Sequence, residues 1–400
     1  MRLETIRIGD LGKIVTGKTP ATKNPAFFDG DYPFVTPSDL DWKTYYARST
    51  KRTVSAEAKK AHKGQFIPAD VVMMTCIGNT IGKCGISHRP CLTNQQINSI
   101  VPHAGYDPKF IYYLLILNAD VIRGVGLGGG AATPIVNKTA FSNIQIQVPK
   151  KSSWQAIASI LSAYDDLIEN NRRRIRLLEE AARLLYREWF VHFRFPGHEH
   201  VKIVDGVPEG WERKTAFDTM EVLSGGTPKT GNPEYWDGEI PFFTPKDATD
   251  TIFSGVTEKT LSEAGLKNCN SRLYPKHTVF ITARGTVGKL NMAQLPMAMN
   301  QSCYALVALP PLNQEILYFA LGAAITEFKG RAVGAVFDAI IVDTFKLIPF
   351  MVPPEQLVRE FTQSVEPMVA QADTLLTQNH KLRAARDLLL PRLMNGEIVV

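Results

Sequence analysis

The chain has 400 residues, more than one ordinary domain usually contains, so two or more hydrophobic cores are expected. Its composition, 44% hydrophobic and 21% charged, is that of a globular protein, and no apolar run reaches the roughly 20 residues that cross a bilayer. The formal charge of +6 is compatible with an anionic partner but does not establish one.

The N-terminal residues and the cysteines predict a cytoplasmic, metal-free protein. The first residues, MRLETIRIGDLG, have the features of neither a signal peptide nor a transit peptide. The five cysteines show no C-x-x-C spacing, and their odd number argues against a disulfide framework.

Two long segments of the chain repeat each other. Residues 17–39 and 225–247 are identical at 13 of 23 positions without a gap, at an offset of 208. Further matches follow in the same order: TCIGNTIGK (75–83) with TARGTVGK (282–289), Asn94-Gln95 with Asn300-Gln301, and FIYYLL (110–115) with ILYFAL (316–321). A period this long indicates a duplicated domain and not a solenoid.

Within each copy the pattern predicts strands and turns. Short apolar runs such as VVMMT (71–75), INSIV (97–101) and TVFIT (278–282) are separated by Thr-Pro, Asn-Pro, Asp-Gly and Pro-Phe dipeptides. One apolar helix is predicted at 109–123, with a counterpart near 313–329. Each copy is therefore predicted to be a compact, strand-rich α+β domain.

A helical period follows each copy. In 152–190 and in 355–395, apolar or small residues recur at alternating intervals of three and four, which is the pattern of a coiled-coil seam. The predicted seam residues are Leu161, Tyr164, Ile168, Asn171 and Ile175 in the first segment and Val365, Val369, Ala372, Leu376 and Asn379 in the second. Two independent amphipathic helices are the alternative, but the length and regularity of the pattern favour a paired coiled coil. The pair is predicted to be antiparallel.

These parts divide the chain into a first domain at 1–150, a spacer helix at 151–195, a second domain at 196–354 and a second spacer helix at 355–400. A helix of about 38 residues is roughly 57 Å long. Two like domains held apart by a stiff spacer suit a ligand that has two separated sites.

Two motifs look catalytic but are predicted to be turns. Asn24-Pro25-Ala26-Phe27 and Asn232-Pro233-Glu234-Tyr235 resemble the N-P-P-Y/F loop that holds a flipped base in amino-methyltransferases. The second proline is missing from both, and no G-x-G loop follows a strand upstream to hold S-adenosylmethionine.

Two glycine turns resemble phosphate-binding loops only in part. GNTIGKC (78–84) has three residues between its glycines where such a loop has four, and GTVGKL (285–290) is shorter still. Each turn could bring Lys83 or Lys289 close to a DNA phosphate, or could be a plain hairpin turn.

Two further segments are assigned to loops. GVGLGGG (124–130) follows a predicted helix, which is the wrong context for a dinucleotide fingerprint, and is predicted to be a mobile loop that could order against DNA. His198-Glu199-His200 has no third metal ligand at a suggestive spacing and is predicted to be a solvated linker. No cluster of carboxylates and lysines suggests a nuclease.

Together these features resemble the specificity (S) subunits of type I restriction–modification systems. The duplicated G-x-T-P and F-x-T-P-x-D elements, the G-x-x-G-K turns with a later Asn-Gln, and the helical spacers all resemble parts of such subunits. The strongest local matches are ENNRRRIRLLEEAARLLYREWFVHFRFPGHE (169–199), entering PEGWE (208–212), and LRAARDLLLPRLMNGEIVV (382–400). The resemblance covers essentially the whole chain. One departure is the first domain, which lacks the P-E-G-W-E lead-in of the second.

The resemblance implies a protein with no catalytic centre, in which each target recognition domain reads one half of a bipartite double-stranded DNA site. It implies that two modification (M) subunits methylate adenine with S-adenosylmethionine, that restriction (R) subunits cleave unmodified DNA with ATP and Mg, and that this chain binds none of these cofactors. The alternatives are a stand-alone two-domain DNA-binding regulator and a self-contained DNA methyltransferase, for which no segment is left to hold the cofactor.

Two different half-sites need different readers, so the shared motifs are assigned mainly to the fold and the divergent segments to DNA contact. The predicted contacts are Lys43, Tyr45, Arg48, Lys51 and Arg52 in the first copy and Lys246, Lys259, Lys267 and Arg272 in the second. Further candidates are Lys83, Lys138, Arg284, Lys289 and Arg331. The alternative for each basic residue is a solvated surface charge.

Overall fold

The structure of the chain is a computed structural model that describes residues 3–42, 45–128, 133–331 and 339–400, without the side chains of 326–331. The chain forms two compact units. Unit 1 comprises Met1–Glu169 and His380–Val400, and unit 2 comprises Asn170–Asn379. Each unit therefore contains one copy of the sequence repeat and parts of both long helical segments.

Unit 1 is a mixed α+β unit. Its strands are β1 (Glu4–Arg7), β2 (Gly12–Thr16), β3 (Phe28–Val35), β4 (Tyr46–Ala47), β5 (Arg52–Val54), β6 (Phe66–Ile67), β7 (Val72–Thr75), β8 (Cys84–Ser87), β9 (Cys91–Thr93), β10 (Ile97–Pro102) and β11 (Gln145–Val148). Its short helices are α1 (Ala56–Ala61), α2 (Pro108–Leu117), α3 (Ala119–Leu127) and α4 (Lys138–Asn143). The strands form a five-stranded sheet in the order β2-β10-β7-β8-β4, a four-stranded sheet in the order β5-β3-β9-β6, and the pair β1-β11.

The core of unit 1 lies between the five-stranded sheet and helix α2. All four residues of β7 are buried, as are residues 110–115 of α2. Helix α2 begins at Pro108 because the Asp107 side chain accepts the Lys109 backbone N–H at 2.7 Å, which is an N-cap. It ends where the Asn118 amide donates to the Leu114 carbonyl at 2.8 Å.

The sequence predicted one helix at 109–123, but the chain bends by 58° between α2 and α3. Helix α3 extends to Leu127, so residues 124–127 are helical and the prediction of a mobile loop there was wrong. Residues 129 and 130 of that loop lie outside the described residues. Among the described residues, no single helix is long and apolar enough to cross a membrane, whereas the bent pair α2 and α3 together passes that test by length and composition.

Two long helices follow the two copies. Helix α5 (Trp154–Tyr186) has 33 residues and continues as a π-helical turn at Arg187–Val191. Helix α9 (Glu355–Met394) has 40 residues.

Unit 2 repeats the architecture of unit 1. Its strands are β12 (Ile203–Val204), β13 (Val207–Pro208), β14 (Glu212–Thr215), β15 (Met220–Ser224), β16 (Trp236–Phe243), β17 (Phe253–Ser254), β18 (Lys259–Leu261), β19 (Val279–Thr282), β20 (Leu290–Ala293), β21 (Ala298–Met299), β22 (Cys303–Ala308) and β23 (Pro349–Val352). Its remaining helices are α6 (Glu263–Lys267), α7 (Gln314–Arg331) and α8 (Val342–Lys346). The sheets run β15-β22-β19-β20-β17, β18-β16-β21, β14-β23 and β12-β13.

The repeated sequence thus forms a repeated topology. The order β15-β22-β19-β20-β17 matches β2-β10-β7-β8-β4, and in both sheets the last strand pairs in parallel with its neighbour. The order β18-β16-β21 likewise matches β5-β3-β9. The predicted α+β class with a duplicated domain is confirmed.

An Asp-Gly pair interrupts the ladder of β3, and another interrupts that of β16. Asp29 and Asp237 both have φ of 58°, and the pairing of β3 with β5 shifts between Phe28 and Tyr32. A Cβ atom on Gly30 would lie 2.5 Å from the Ser55 Cα atom, so only glycine fits there. The sequence pattern treats Asp-Gly as a separator between strands, whereas here it forms a β-bulge inside a strand.

Helices α5 and α9 pack along each other within each unit. In unit 1 the beginning of α5 and the end of α9 share one core, with buried Ile157 and Leu161 from the first and Leu390 and Leu393 from the second. In unit 2, residues further along the first helical segment contact residues nearer the beginning of α9. Ile175 shares a core cluster with Ala372, and the Phe190 ring lies 4.9 Å from the Phe361 ring. The helices are therefore antiparallel, and the predicted coiled coil is confirmed.

Two asparagines of the predicted seam meet in unit 2. The Asn171 side-chain amide donates to the Asn379 side-chain oxygen at 3.1 Å, and both residues are buried. The other predicted seam residues are also buried, except Tyr164 and Leu376, which are half-buried.

The structure adds two carboxylates to the seam. Asp165 and Glu179 are 1% and 3% exposed, whereas their neighbours Tyr164 and Leu178 are only half-buried. A seam predicted from the spacing of apolar residues does not include these two positions. A buried carboxylate needs hydrogen-bond or ion-pair partners, and the spacing does not show them.

Candidate DNA-binding interface

The F-x-T-P-x-D element shared by the two copies makes the same internal bonds in each unit. In unit 1 the Thr36 backbone N–H and hydroxyl both donate to one Asp39 carboxylate oxygen, and the other oxygen accepts the Lys51 backbone N–H at 3.0 Å. The corresponding bonds in unit 2 join Thr244, Asp247 and Glu258. Because Lys51 directly precedes β5 and Glu258 directly precedes β18, the aspartate fixes where the next, divergent segment begins.

The G-x-T-P element is tied to the Asn-Gln pair in the same way. The Thr19 hydroxyl donates to the Gln95 side chain at 2.6 Å, and Thr227 donates to Gln301 in unit 2. The shared motifs are therefore engaged within each unit, which agrees with their assignment to the fold.

The N-P-x-F/Y motifs are turns, as predicted. The Asn24 side-chain oxygen accepts the Ala26 backbone N–H at 3.2 Å, and the Asn232 oxygen accepts the Glu234 N–H at 3.1 Å. Each asparagine caps one turn of 3-10 helix. The atom that would accept a target amino group in a methyltransferase is thus used to cap the turn.

The glycine turns connect antiparallel strands. In unit 1 the turn joins β7 to β8, with Gly78 and Gly82 at φ of 70° and 102°. These left-handed conformations favour glycine. Lys83 is half-buried, and the Lys289 ammonium in unit 2 lies 2.8 Å from an Asp250 carboxylate oxygen.

Tyr45 was predicted to contact DNA, and the structure contradicts this. Its side chain is 1% exposed, and its ring packs edge-on against Tyr112 at 5.1 Å and stacks with Tyr113 at 6.1 Å. A ring enclosed in the core of unit 1 cannot reach a base. Lys43 lies outside the described residues.

The remaining candidates of unit 1 differ in their partners. The Arg48 guanidinium lies 3.7 Å from a Glu169 carboxylate oxygen and 5.1 Å from the Tyr46 ring centre, so its charge is partly neutralised within the unit. Lys51 and Lys138 are exposed. Arg52 is also exposed, and its guanidinium lies over the Phe28 ring at 4.3 Å.

In unit 2 several candidates have acidic neighbours. Lys246 lies 3.6 Å from Glu258, and Lys267 lies 4.0 Å from Glu263. Such exposed pairs contribute little stability, but they lower the local positive charge. Lys259 instead lies over the Trp236 ring at 5.1 Å. Arg272 and Arg284 are exposed, and the Arg331 side chain lies outside the described residues.

The prediction missed the two aromatic residues under these cations. Phe28 and Trp236 occupy equivalent positions at the offset of 208, and Arg52 and Lys259 differ by 207. An aromatic residue in one strand and a cation in the next, repeated in both copies, is a signal that the sequence contained.

No group of three His, Cys, Asp or Glu side chains in the described part of the chain is arranged to hold a metal ion. That this chain binds no cofactor stays a prediction.

Comparison with known proteins identifies the family. The family model of the type I restriction modification DNA specificity domain matches residues 2–180 and 208–359. The type I restriction enzyme MjaIX specificity subunit of Methanocaldococcus jannaschii is 26% identical over 98% of this chain and 93% of its own length. The type I restriction enzyme HindI specificity subunit of Haemophilus influenzae is 25% identical over 73% of this chain and 77% of its own length.

A solved structure shares the fold. The crystal structure of the type I restriction–modification system S subunit from M. genitalium matches with a TM-score of 0.59 and 17% identity, over 98% of this chain and 96% of that chain. Because the family model matches most of the chain, in two segments that each contain one copy of the repeat, the chain belongs to the type I restriction modification DNA specificity family and is a specificity subunit without catalytic activity of its own.

Proposed function

We propose that this specificity subunit reads a bipartite double-stranded DNA sequence, one half-site per recognition domain, and directs adenine methylation and restriction by partner subunits. The observation that carries the proposal is the pair of units with the same internal bonds and different exposed side chains. Thr36–Asp39–Lys51 and Thr244–Asp247–Glu258 are equivalent, whereas the cations presented next to them differ.

The functional division that we propose is a recognition domain at 1–150, a spacer at 151–195, a recognition domain at 196–354 and a spacer at 355–400. Helices α5 and α9 lie within the two spacers. The antiparallel pairing of these helices supports a stiff spacer, because each buries apolar residues against the other in both units.

The partners in this proposal are M subunits, which bring S-adenosylmethionine, and R subunits, which use ATP and Mg. The complex would act in the cytoplasm, where it meets DNA. The phosphate contacts of basic side chains would position the subunit, and contacts to base edges would select the sequence.

Co-expression with candidate M subunits, followed by mapping of methylated adenine, tests the proposal. We expect one bipartite motif with an unspecified gap, methylated only when this chain is present. The chain alone, incubated with labelled S-adenosylmethionine and DNA, should give no incorporation. A continuous motif would contradict the bipartite reading, and tight sequence-specific binding by the chain alone, with no effect on methylation, would favour a regulator.

A further inference from the structure

In each unit an exposed cation lies over an aromatic ring at an equivalent position. Arg52 is the first residue of β5 and Phe28 the first residue of β3, while Lys259 and Trp236 begin β18 and β16. The registers agree as well, since Phe28 pairs with Val54, two residues after Arg52, and Trp236 pairs with Leu261, two residues after Lys259. The cation and the ring are therefore diagonal neighbours across one strand pair, which is close enough for long side chains to touch.

Both rings are held in place by the fold. Phe28 packs against the buried cluster of Phe34, Val54 and Leu92. In unit 2 the Trp236 indole N–H donates to the Lys229 carbonyl at 3.4 Å, and its ring meets Phe242 edge-on at 5.6 Å. Each cation thus rests on a positioned platform.

These two cations differ from four of the other candidates, whose charge is partly neutralised by a carboxylate. Arg48, Lys246, Lys267 and Lys289 each have a carboxylate within 4.0 Å. Among the described residues, neither Arg52 nor Lys259 has a carboxylate within that distance. A ring face attracts a cation without removing its charge, so both side chains keep their charge for an outside ligand.

The chemistry of the two pairs differs. A guanidinium stacked on a ring keeps its N–H groups along its edge, in a planar fork that matches the two acceptors O6 and N7 of guanine. Holding the fork on a ring lowers the conformational entropy lost when it binds. An ammonium is a point charge with no fork, so Lys259 lacks the bidentate geometry of Arg52.

We propose that Arg52 on Phe28 and Lys259 on Trp236 are specificity-determining pairs, one per half-site, and that Arg52 reads a guanine in the half-site of the first recognition domain. This inference rests on the proposed function. It identifies the side chains that give the two recognition domains different sequence preferences. The strand pair that both domains share fixes where the side chain lies, and the chemistry of that side chain fixes which base it prefers.

The test is Arg52→Lys in the complex with M subunits, read by mapping methylated adenine. Loss of the bidentate contact should relax one guanine position of one half-site by about 5- to 150-fold in preference, and leave the other half-site intact. Phe28→Leu, which keeps the arginine but removes the ring, should relax the same position. Lys259→Arg should alter one position of the opposite half-site only.

Lys63→Arg is the matched control, because Lys63 is an exposed cation of the same unit that is not among the candidate DNA contacts, and it should leave the motif unchanged. If Arg52→Lys leaves the motif unchanged while Arg52→Ala weakens methylation equally at all sequences, Arg52 contacts phosphate and the inference is overturned. If the unaltered complex methylates no bipartite motif, the proposed function fails instead, so the two failures can be told apart.

Discussion

Asp165 is a charged residue in the helix seam of unit 1, where burial raises its pKa. Arg386 lies within ion-pair distance of Asp165 and opposes that shift, and the Tyr113 hydroxyl donates to the other carboxylate oxygen at 2.5 Å. An isolated buried charge would be costly, but this one has a counter-ion and a hydrogen bond. Asp165 therefore links α5 both to α9 and to α2 within unit 1.

Glu179 has a different role in unit 2. Its carboxylate accepts the Ile252 backbone N–H at 2.7 Å, which joins helix α5 to the segment that leads into β17. Burial raises the pKa of Glu179, while the Ile252 N–H and the half-exposed Arg183 oppose that shift. The helix thus holds part of the second recognition domain through a side chain whose charge is costly to bury.

Glu179→Gln separates the hydrogen bond from the charge. Because the folded pKa is raised, the cost of the buried charge is present at neutral pH and falls as the pH drops through the raised pKa. We expect the glutamine variant, which keeps an acceptor for Ile252, to raise the free energy of unfolding at pH 7 by about 1 kcal/mol, and the gain to vanish below the ordinary carboxylate pKa. Urea denaturation across this pH range measures both.

Glu179→Leu is the contrasting variant. It leaves the Ile252 N–H buried without an acceptor, so we expect a loss of about 1–3 kcal/mol and faster amide exchange at Ile252. If the glutamine variant were as unstable as the leucine variant, the charge of Glu179 and not its acceptor oxygen would hold this segment.

The two long helices form the proposed spacer between the recognition domains. In unit 2 the Asn171–Asn379 hydrogen bond pairs seam positions that are equivalent in the repeat. A polar pair in an apolar seam penalises any shift of one helix along the other, because a shifted asparagine would face apolar neighbours. The pair therefore specifies the register of the spacer.

Insertion of one heptad into each helix, beside Asn171 and beside Asn379, tests whether the length of the spacer sets the gap between the two half-sites. Seven residues preserve the seam phase and lengthen each helix by about 10 Å, which equals about three base pairs of duplex. We expect the methylated half-sites to stay the same and the gap between them to grow by about three base pairs. Two-residue insertions at the same places, which turn the following seam residues by about 200° and so away from the partner helix, should abolish methylation. An altered half-site with an unchanged gap would contradict the hypothesis that spacer length sets the gap.

The two copies of the repeat are unequally charged near their N-terminal ends. Residues 17–66 contain nine basic and five acidic residues, whereas the equivalent residues 225–274 contain five and seven. Phosphate contacts supply the salt-dependent part of DNA affinity. The first recognition domain is therefore expected to contribute more of that affinity than the second.

Exchange of residues 1–150 for the equivalent domain of another specificity subunit tests whether the readers are independent. Because the shared motifs bond within their own unit, we expect one half of the methylated motif to change and the other to persist. Adenine methylation mapped in cells that also carry M subunits gives the result. A chimera that changed both halves at once would mean that the domains read DNA jointly.

The large features of this protein could be predicted from its amino-acid sequence. The duplication and the helix pair follow from an offset of 208 and from seam spacing, since both are periodic properties of the chain. The α+β class follows from short apolar runs separated by turn residues. The turn at Asn24-Pro25 was also predictable, because an asparagine that caps a turn acts on residues next to it in the chain.

Which side chains are available to a ligand depends on tertiary contacts that the sequence pattern does not show. Tyr45 and Arg48 lie three residues apart in one polar and aromatic run, yet one is enclosed by Tyr112 and Tyr113 and the other is exposed beside Glu169. The same holds for the buried Glu179, whose partner Ile252 is 73 residues away. Burial and pairing depend on residues distant in the chain, and no local pattern records which of them will meet.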